Sequence, residues 1–117
     1  MGILCSILGM NGCNAQSGRF RTVDTEEFAK VIADTSVVLL DVRTAEEYRQ
    51  GHIGEALNID VLQDGFEEKV AEAVPEGRTI ALYCRSGNRS KKAASVLSGK
   101  YAVIELGTGY LGWMEKQ

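Results

Sequence analysis

The stretch Leu82–Ala94, "LYCRSGNRSKKAA", decides how the rest of the chain is read. An apolar run stops at Cys84, a short polar turn holding Gly87 and Asn88 follows, and a segment of helical spacing begins near Arg89 or Ser90. So tight a passage from strand to helix needs unusual backbone angles, which glycine and asparagine adopt at least cost. Successive backbone N–H groups in such a turn point inward and form an anion-binding nest. The helix that follows adds unpaired N–H groups and its positive N-terminal end. Arg85, Arg89, Lys91 and Lys92 add side-chain charge. All of these favour a thiolate over a thiol. A single cation at ~4 Å contributes up to ~4 kcal/mol at an effective dielectric of ~20, so even a small fraction of this field matters.

Outward from this turn, apolar runs and helical patterns alternate. "RFRTVD" reads as a short edge strand, and "DTEEFAKVIA" as a helix capped by Asp24 or Thr25. "SVVLLDV" is a continuous β-branched and aliphatic run, as expected of a strand buried on both faces. "TAEEYRQGH" is a short helix between the cap-like Thr44 and Gly51, and "EALNID" supplies another short strand. A helix follows on Phe66, Val70 and Ala73 or Val74, ended by Pro75 and Gly77. "RTIALYC" is a second buried strand leading into the helix "RSKKAASVLSGK", whose inner face is expected to carry Ala93, Val96 and Leu97. "YAVIEL" is a further strand, and "GTGYLGWMEKQ" a glycine-rich turn with a short terminal helix. The pattern predicts an α/β fold: a mainly parallel sheet of about five strands with helices on both faces. Such sheets bind ligands beyond the carboxyl ends of their strands, where Cys84 falls.

Composition narrows the function. With 117 residues, 44% hydrophobic and 25% charged, the chain is sized for one soluble domain. A net charge of -3 argues against a general nucleic-acid binder. Cys5, Cys13 and Cys84 form an odd set without a Cys-x-x-Cys pair, which suggests neither a zinc site nor a disulfide framework. His52, the single histidine, offers no clear base for a Cys–His pair. An isolated cysteine at a strand end is more often a small buried hydrophobe. Here the conjunction of strand, cysteine, glycine-bearing turn, arginine and helix favours a reactive thiolate acting on an anionic substrate.

Residues 1–18 differ from the rest: no charged side chain precedes Arg19, and Met1–Met10 is mostly apolar. The segment is either a disordered leader or a truncated export signal, in which "MNGC" resembles a lipoprotein processing site with Cys13 as the lipidated residue. An export signal would make the protein periplasmic or membrane-anchored, and without one it would be cytoplasmic. Residues 19–117 are taken as the folded domain.

Over that domain the chain resembles single-domain rhodanese-like sulfurtransferases. "LLDVRTAEEYRQGHI" is similar to the family's first signature, "YCRSGNRS" to its active-site loop, and "GTGYLGW" to its terminal glycine-rich turn and tryptophan. The resemblance implies a rhodanese-like fold, Cys84 as a persulfide-forming nucleophile, and no cofactor or metal. It implies that the loop from Arg85 through Ser86, Gly87, Asn88, Arg89 and Ser90 binds the substrate. The backbone N–H groups of Arg85 to Arg89 would hold the persulfide, and Ser86 and Ser90 would donate hydrogen bonds. Arg85 and Arg89 are candidates to orient the donor, with Arg89 alternatively pinning the loop. The partners implied are a small anionic sulfur donor such as thiosulfate and a cyanide or thiol acceptor.

Four residues separate Cys84 from Arg89. Related cell-cycle phosphatases and arsenate reductases carry one more, so the spacing favours sulfur transfer over that alternative. A persulfide carrier or binding module for a protein partner is the other alternative. Asp41, Arg43, Glu47, His52 and Asn58 are expected to be structural, and Trp113 to be core or lid. Glu55 and Thr108 depart from the family pattern.

Overall fold

The computed structural model describes residues 19–117, so the expectations for the leader and Cys13 lie outside the described residues. Strands and helices alternate without exception: β1 (Arg21–Val23), α1 (Thr25–Ile32), β2 (Val38–Asp41), α2 (Ala45–Gln50), β3 (Leu57–Asn58), α3 (Phe66–Ala73), β4 (Thr79–Tyr83), α4 (Asn88–Leu97), β5 (Ala102–Leu106) and α5 (Gly109–Glu115). Helix starts follow their capping chemistry. The Asp24 side chain accepts from Glu27 N at 2.9 Å to open α1, and Thr44 and Glu47 form a reciprocal capping box on α2.

The strands pair in parallel in the order β1-β5-β4-β2-β3. This puts β4 at the centre, flanked by β2 (Leu40 beside Leu82) and β5 (Ala81 beside Ile104). Side chains alternate across a strand. Ile80, Leu82 and Cys84 therefore join the core on one face with Phe66, Val70, Ala93, Ala94 and Leu97 of α3 and α4. Ala81 and Tyr83 join the opposite core with Phe28 of α1, against which Trp113 of α5 packs. Trp113 is thus a core-edge residue, edge-on to Phe28 at 6.3 Å between ring centroids.

Local details differ from expectation. Helix α4 begins at Asn88, and its buried stripe is Ser90, Ala93, Ala94 and Leu97. Val96 lies one residue off that stripe and is 39% exposed. Of the two positions expected after Val70 on α3, the structure buries Val74, at the helix C-cap, and exposes Ala73.

At the carboxyl end of β2 a buried polar knot ties strand to loops. Asp41 is fully buried and accepts from Arg43 N (2.9 Å), Arg43 Nη2 (2.7 Å) and the Tyr83 hydroxyl (2.7 Å). Arg43 Nη2 also donates to the Gly51 carbonyl, and the guanidinium lies over the Tyr110 ring at 4.4 Å. The Asn58 amide donates to the Asp41 and Arg43 carbonyls. His52 is exposed and stacks on Tyr48 at 3.7 Å between ring centroids. Removing one partner of a buried pair leaves an uncompensated charge and costs about 3–5 kcal/mol. Asp41→Ala is therefore expected to lower unfolding free energy by about that amount in urea titrations; a loss under about 1 kcal/mol would show that the knot does not hold the strand ends.

Candidate active site

Helix α4 differs from α1 and α2 at its start: its N-cap, Gly87, has no side chain to accept from the first turn. That leaves N–H donors unpaired at a buried helix end, which is costly unless something accepts them. The Cys84 sulfur accepts one of them. Gly87 N donates to Sγ at 3.1 Å, in a loop that follows directly from β4. Cys84 is 1% exposed, so its sulfur forms the floor of the loop.

Two glycines make this geometry possible. Gly87 has φ +107, and a Cβ there would lie 2.5 Å from the Gly107 carbonyl oxygen. Gly109 has φ +69, and a Cβ there would lie 2.3 Å from the Arg85 carbonyl oxygen. The turn before α5 thus presses directly on the Cys84 loop. Its backbone also secures it: Tyr110 N donates to the Cys84 carbonyl at 2.8 Å and Leu111 N to the Arg85 carbonyl at 3.1 Å. Thr108, one of the departures from the family pattern, is exposed, with its hydroxyl 3.2 Å from that of Thr25. The position that must be glycine, Gly109, is glycine. Glu55 is exposed as well.

Opposing influences act on the Cys84 thiol. Burial pushes it toward the neutral form, and this is the largest single influence. The Ser90 hydroxyl and the backbone N–H groups of Ser90, Gly87 and Ser86 together outweigh burial, so the thiol is more acidic than an ordinary cysteine. The helix contributes no acidic residue in its first turn to oppose this.

The cations named from the sequence are distributed unequally. Arg89 is committed to α2, where Nη1 and Nη2 meet Glu47 Oε1 (2.8 Å) and Oε2 (3.0 Å) in a two-pronged pair. Of the two uses open to Arg89, the geometry favours pinning the loop. The Glu47 carboxyl is held down to about 2, first by Arg89, with burial opposing and the Thr44 N–H and hydroxyl assisting. Lys91 Nζ reaches the Gly87 carbonyl and the Glu105 carboxylate, each at 3.2 Å. The Arg85 side chain makes no hydrogen bond or ion pair among the described residues; it lines a cleft of about 240 Å³ with Glu47, Tyr110 and Leu111. Asn88 and Ser86 are exposed at the rim, and Lys92 is exposed further along α4.

Sequence inspection did not single out Glu105, a fully buried carboxylate touching Ser90 and Lys91. A charged residue inside the apolar run "YAVIEL" was the available signal.

Comparison with known proteins identifies the family. Residues 24–116 match the family described as the rhodanese-like domain. A sulfurtransferase of Allochromatium vinosum is 35% identical, over 78% of this chain and 85% of its own. Thiosulfate sulfurtransferase 18 of Arabidopsis thaliana is 34% identical, over 80% of this chain and 78% of its own. A solved rhodanese-related protein from Thermoplasma volcanium, 26% identical, superposes with a TM-score of 0.65 over 83% of this chain and 93% of its own. By sequence and by fold, the chain belongs to the rhodanese-like sulfurtransferase family.

Proposed function

We propose that this protein moves sulfane sulfur from thiosulfate, or a donor like it, to cyanide or a thiol through a persulfide on Cys84. The observation that carries this reading is the Cys84 sulfur accepting from Gly87 N at the uncapped start of α4. A sulfur that serves as the helix cap is stabilised most when it is an anion. The thiosulfate sulfurtransferase name of the Arabidopsis relative supports the choice of donor.

In the first half-reaction the thiolate attacks the outer sulfur of thiosulfate. A Cys84–S bond forms, the donor S–S bond breaks, and its electron pair leaves on sulfite. In the second, the acceptor attacks the outer sulfur, and the pair of the broken bond returns to Cys84. The inner sulfur is then the leaving group, and a more acidic thiol leaves faster. In this reading Arg85, which lines the cleft, meets the anionic donor, with the exposed Ser86 and Asn88 beside it. The N–H groups of Ser86, Gly87 and Ser90 support charge on Cys84, and Arg89 fixes the loop through Glu47.

Incubation with thiosulfate followed by intact mass measurement is expected to add one sulfur atom, and Cys84→Ser to abolish the gain. Thiocyanate formation on adding cyanide separates a turning-over enzyme from a carrier that awaits a protein thiol. No added sulfur, together with hydrolysis of an aryl phosphate, would overturn the reading. The Arg89–Glu47 pair makes a second prediction. A misplaced reacting group costs about 10²-fold per ångström, so Glu47→Gln is expected to lower kcat/KM for thiosulfate by about 10- to 100-fold. A change within about twofold would show that the pair does not position the loop. Because the Glu47 value drops from 4.5 to about 2 on folding, the stability the pair adds is present above about pH 4.5 and lost as pH falls toward 2.

A further inference from the structure

Gly87 cannot hold its own peptide in place. Its φ of +107, and the 2.5 Å approach that a Cβ would make to the Gly107 carbonyl oxygen, restrict the position to glycine. Glycine leaves the Gly87–Asn88 peptide free to turn over. The observed ψ of -8 fixes which way that peptide faces. With ψ near zero the Asn88 nitrogen lies on the same side as the Gly87 nitrogen, and the Gly87 carbonyl oxygen lies on the opposite side. Gly87 N donates to the Cys84 sulfur at 3.1 Å, so the side that carries both nitrogens is the sulfur side. Two successive N–H groups on one side favour an anion there, and a turned-over peptide would replace one of them with a carbonyl oxygen.

The carbonyl is held from behind. It accepts from Lys91 Nζ at 3.2 Å, one helical turn along α4. A lysine with 53% of its side chain exposed ordinarily spreads over many rotamers, and fixing it costs entropy. Here a fully buried carboxylate on β5 seats it. Lys91 Nζ lies 3.2 Å from Glu105 Oε2, and Glu105 is the one charged partner of Lys91 among the described residues. Glu105 is fixed in turn by Thr22 Oγ1 of β1, which donates to Oε1 at 2.7 Å, and by Ser90 Oγ, which donates to Oε2 at 2.5 Å. A buried carboxylate is costly, and an apolar residue often serves stability equally well, so Glu105 calls for a further use. We propose that Lys91 is a positioning residue for sulfur transfer: seated by Glu105, its ammonium holds the Gly87 carbonyl on the side away from Cys84 and so keeps the Gly87 and Asn88 N–H groups turned to the sulfur. The ammonium also draws electron density from the carbonyl, which strengthens the Asn88 N–H as a donor. The functional meaning rests on the sulfurtransferase reading, in which these donors support the thiolate as it attacks and again as it leaves.

Alkylation of Cys84 by iodoacetamide across pH, read by peptide mass mapping on the full chain, needs no sulfur donor, so it judges this role separately from sulfur transfer. The decisive variant is Glu105→Met, similar in length but with neither charge nor acceptor. Removing the Glu105 charge would by itself favour the thiolate. Freeing Lys91 from its seat does the reverse. On the acid side of the wild-type midpoint, the ionised fraction of Cys84 is therefore expected to fall about three- to tenfold. Lys91→Met should lower it by a similar factor, and the double variant should stay within about twofold of Lys91→Met, since the two residues act as one unit. A fraction that rises or stays in place in folded Glu105→Met, or that falls additively in the double variant, would overturn the proposal. If Glu105→Met does not fold, the double variant is judged instead, because it leaves neither charge of the pair without its partner. Its ionised fraction should fall by the same three- to tenfold, about that of one lost donor, and an unmoved or raised fraction overturns the proposal.

Discussion

The contact between the Gly87 N–H and the Cys84 sulfur is the constraint around which the carboxyl end of the sheet is built. A helix start leaves N–H donors that need acceptors, and α4 has no side-chain cap to supply one. Because the sulfur fills that role, the loop must be short enough to fold back on the cysteine that opens it. That requires the left-handed backbone at Gly87 and the close approach of the turns at Gly107 and Gly109. The central position of β4 then buries the sulfur beneath its own loop.

Charge around the sulfur is held in place more than it is abundant. Arg89 and Lys91 are tied to Glu47 and Glu105, so their fields are fixed relative to Cys84. A prepositioned field needs no reorganisation when charge moves during a reaction. Arg85, outside these pairs, lines the cleft to which the proposed reaction would bring its anionic donor. A committed inner set of charges with one arginine at the mouth fits a loop that holds a sulfur atom and admits small anions.

The fold was legible because its signals are local. Two continuous apolar runs, "SVVLLDV" and "RTIALYC", mark strands buried on both faces, and they became β2 and the central β4. Thr44 marked the start of α2, and Asp24, one of two candidate caps, the start of α1. The candidate loop was legible for the same reason, since cysteine, glycine and helix start lie within a few positions of one another. Val96 was misplaced because helical spacing identifies a stripe but not its exact orientation against a sheet. Which of its two uses Arg89 serves, and the contacts of Glu105, were hidden for a deeper reason. Their partners Glu47, Thr22 and Ser90 lie on other elements, up to 83 positions away in sequence for Thr22. The parallel pairing of β1 with β5, the packing of α4 on β5 and the packing of α2 against the loop bring them together.

The chemistry of the loop requires the sulfur to be an anion held by the helix start. Thiolate absorbance against pH tests this most directly, with Cys5 and Cys13 replaced by serine so that Cys84 alone reports. A midpoint at lower pH is expected in the folded protein than in the same protein unfolded in urea. A folded-state midpoint equal to or above the unfolded one would contradict it, since burial alone pushes the thiol in that direction.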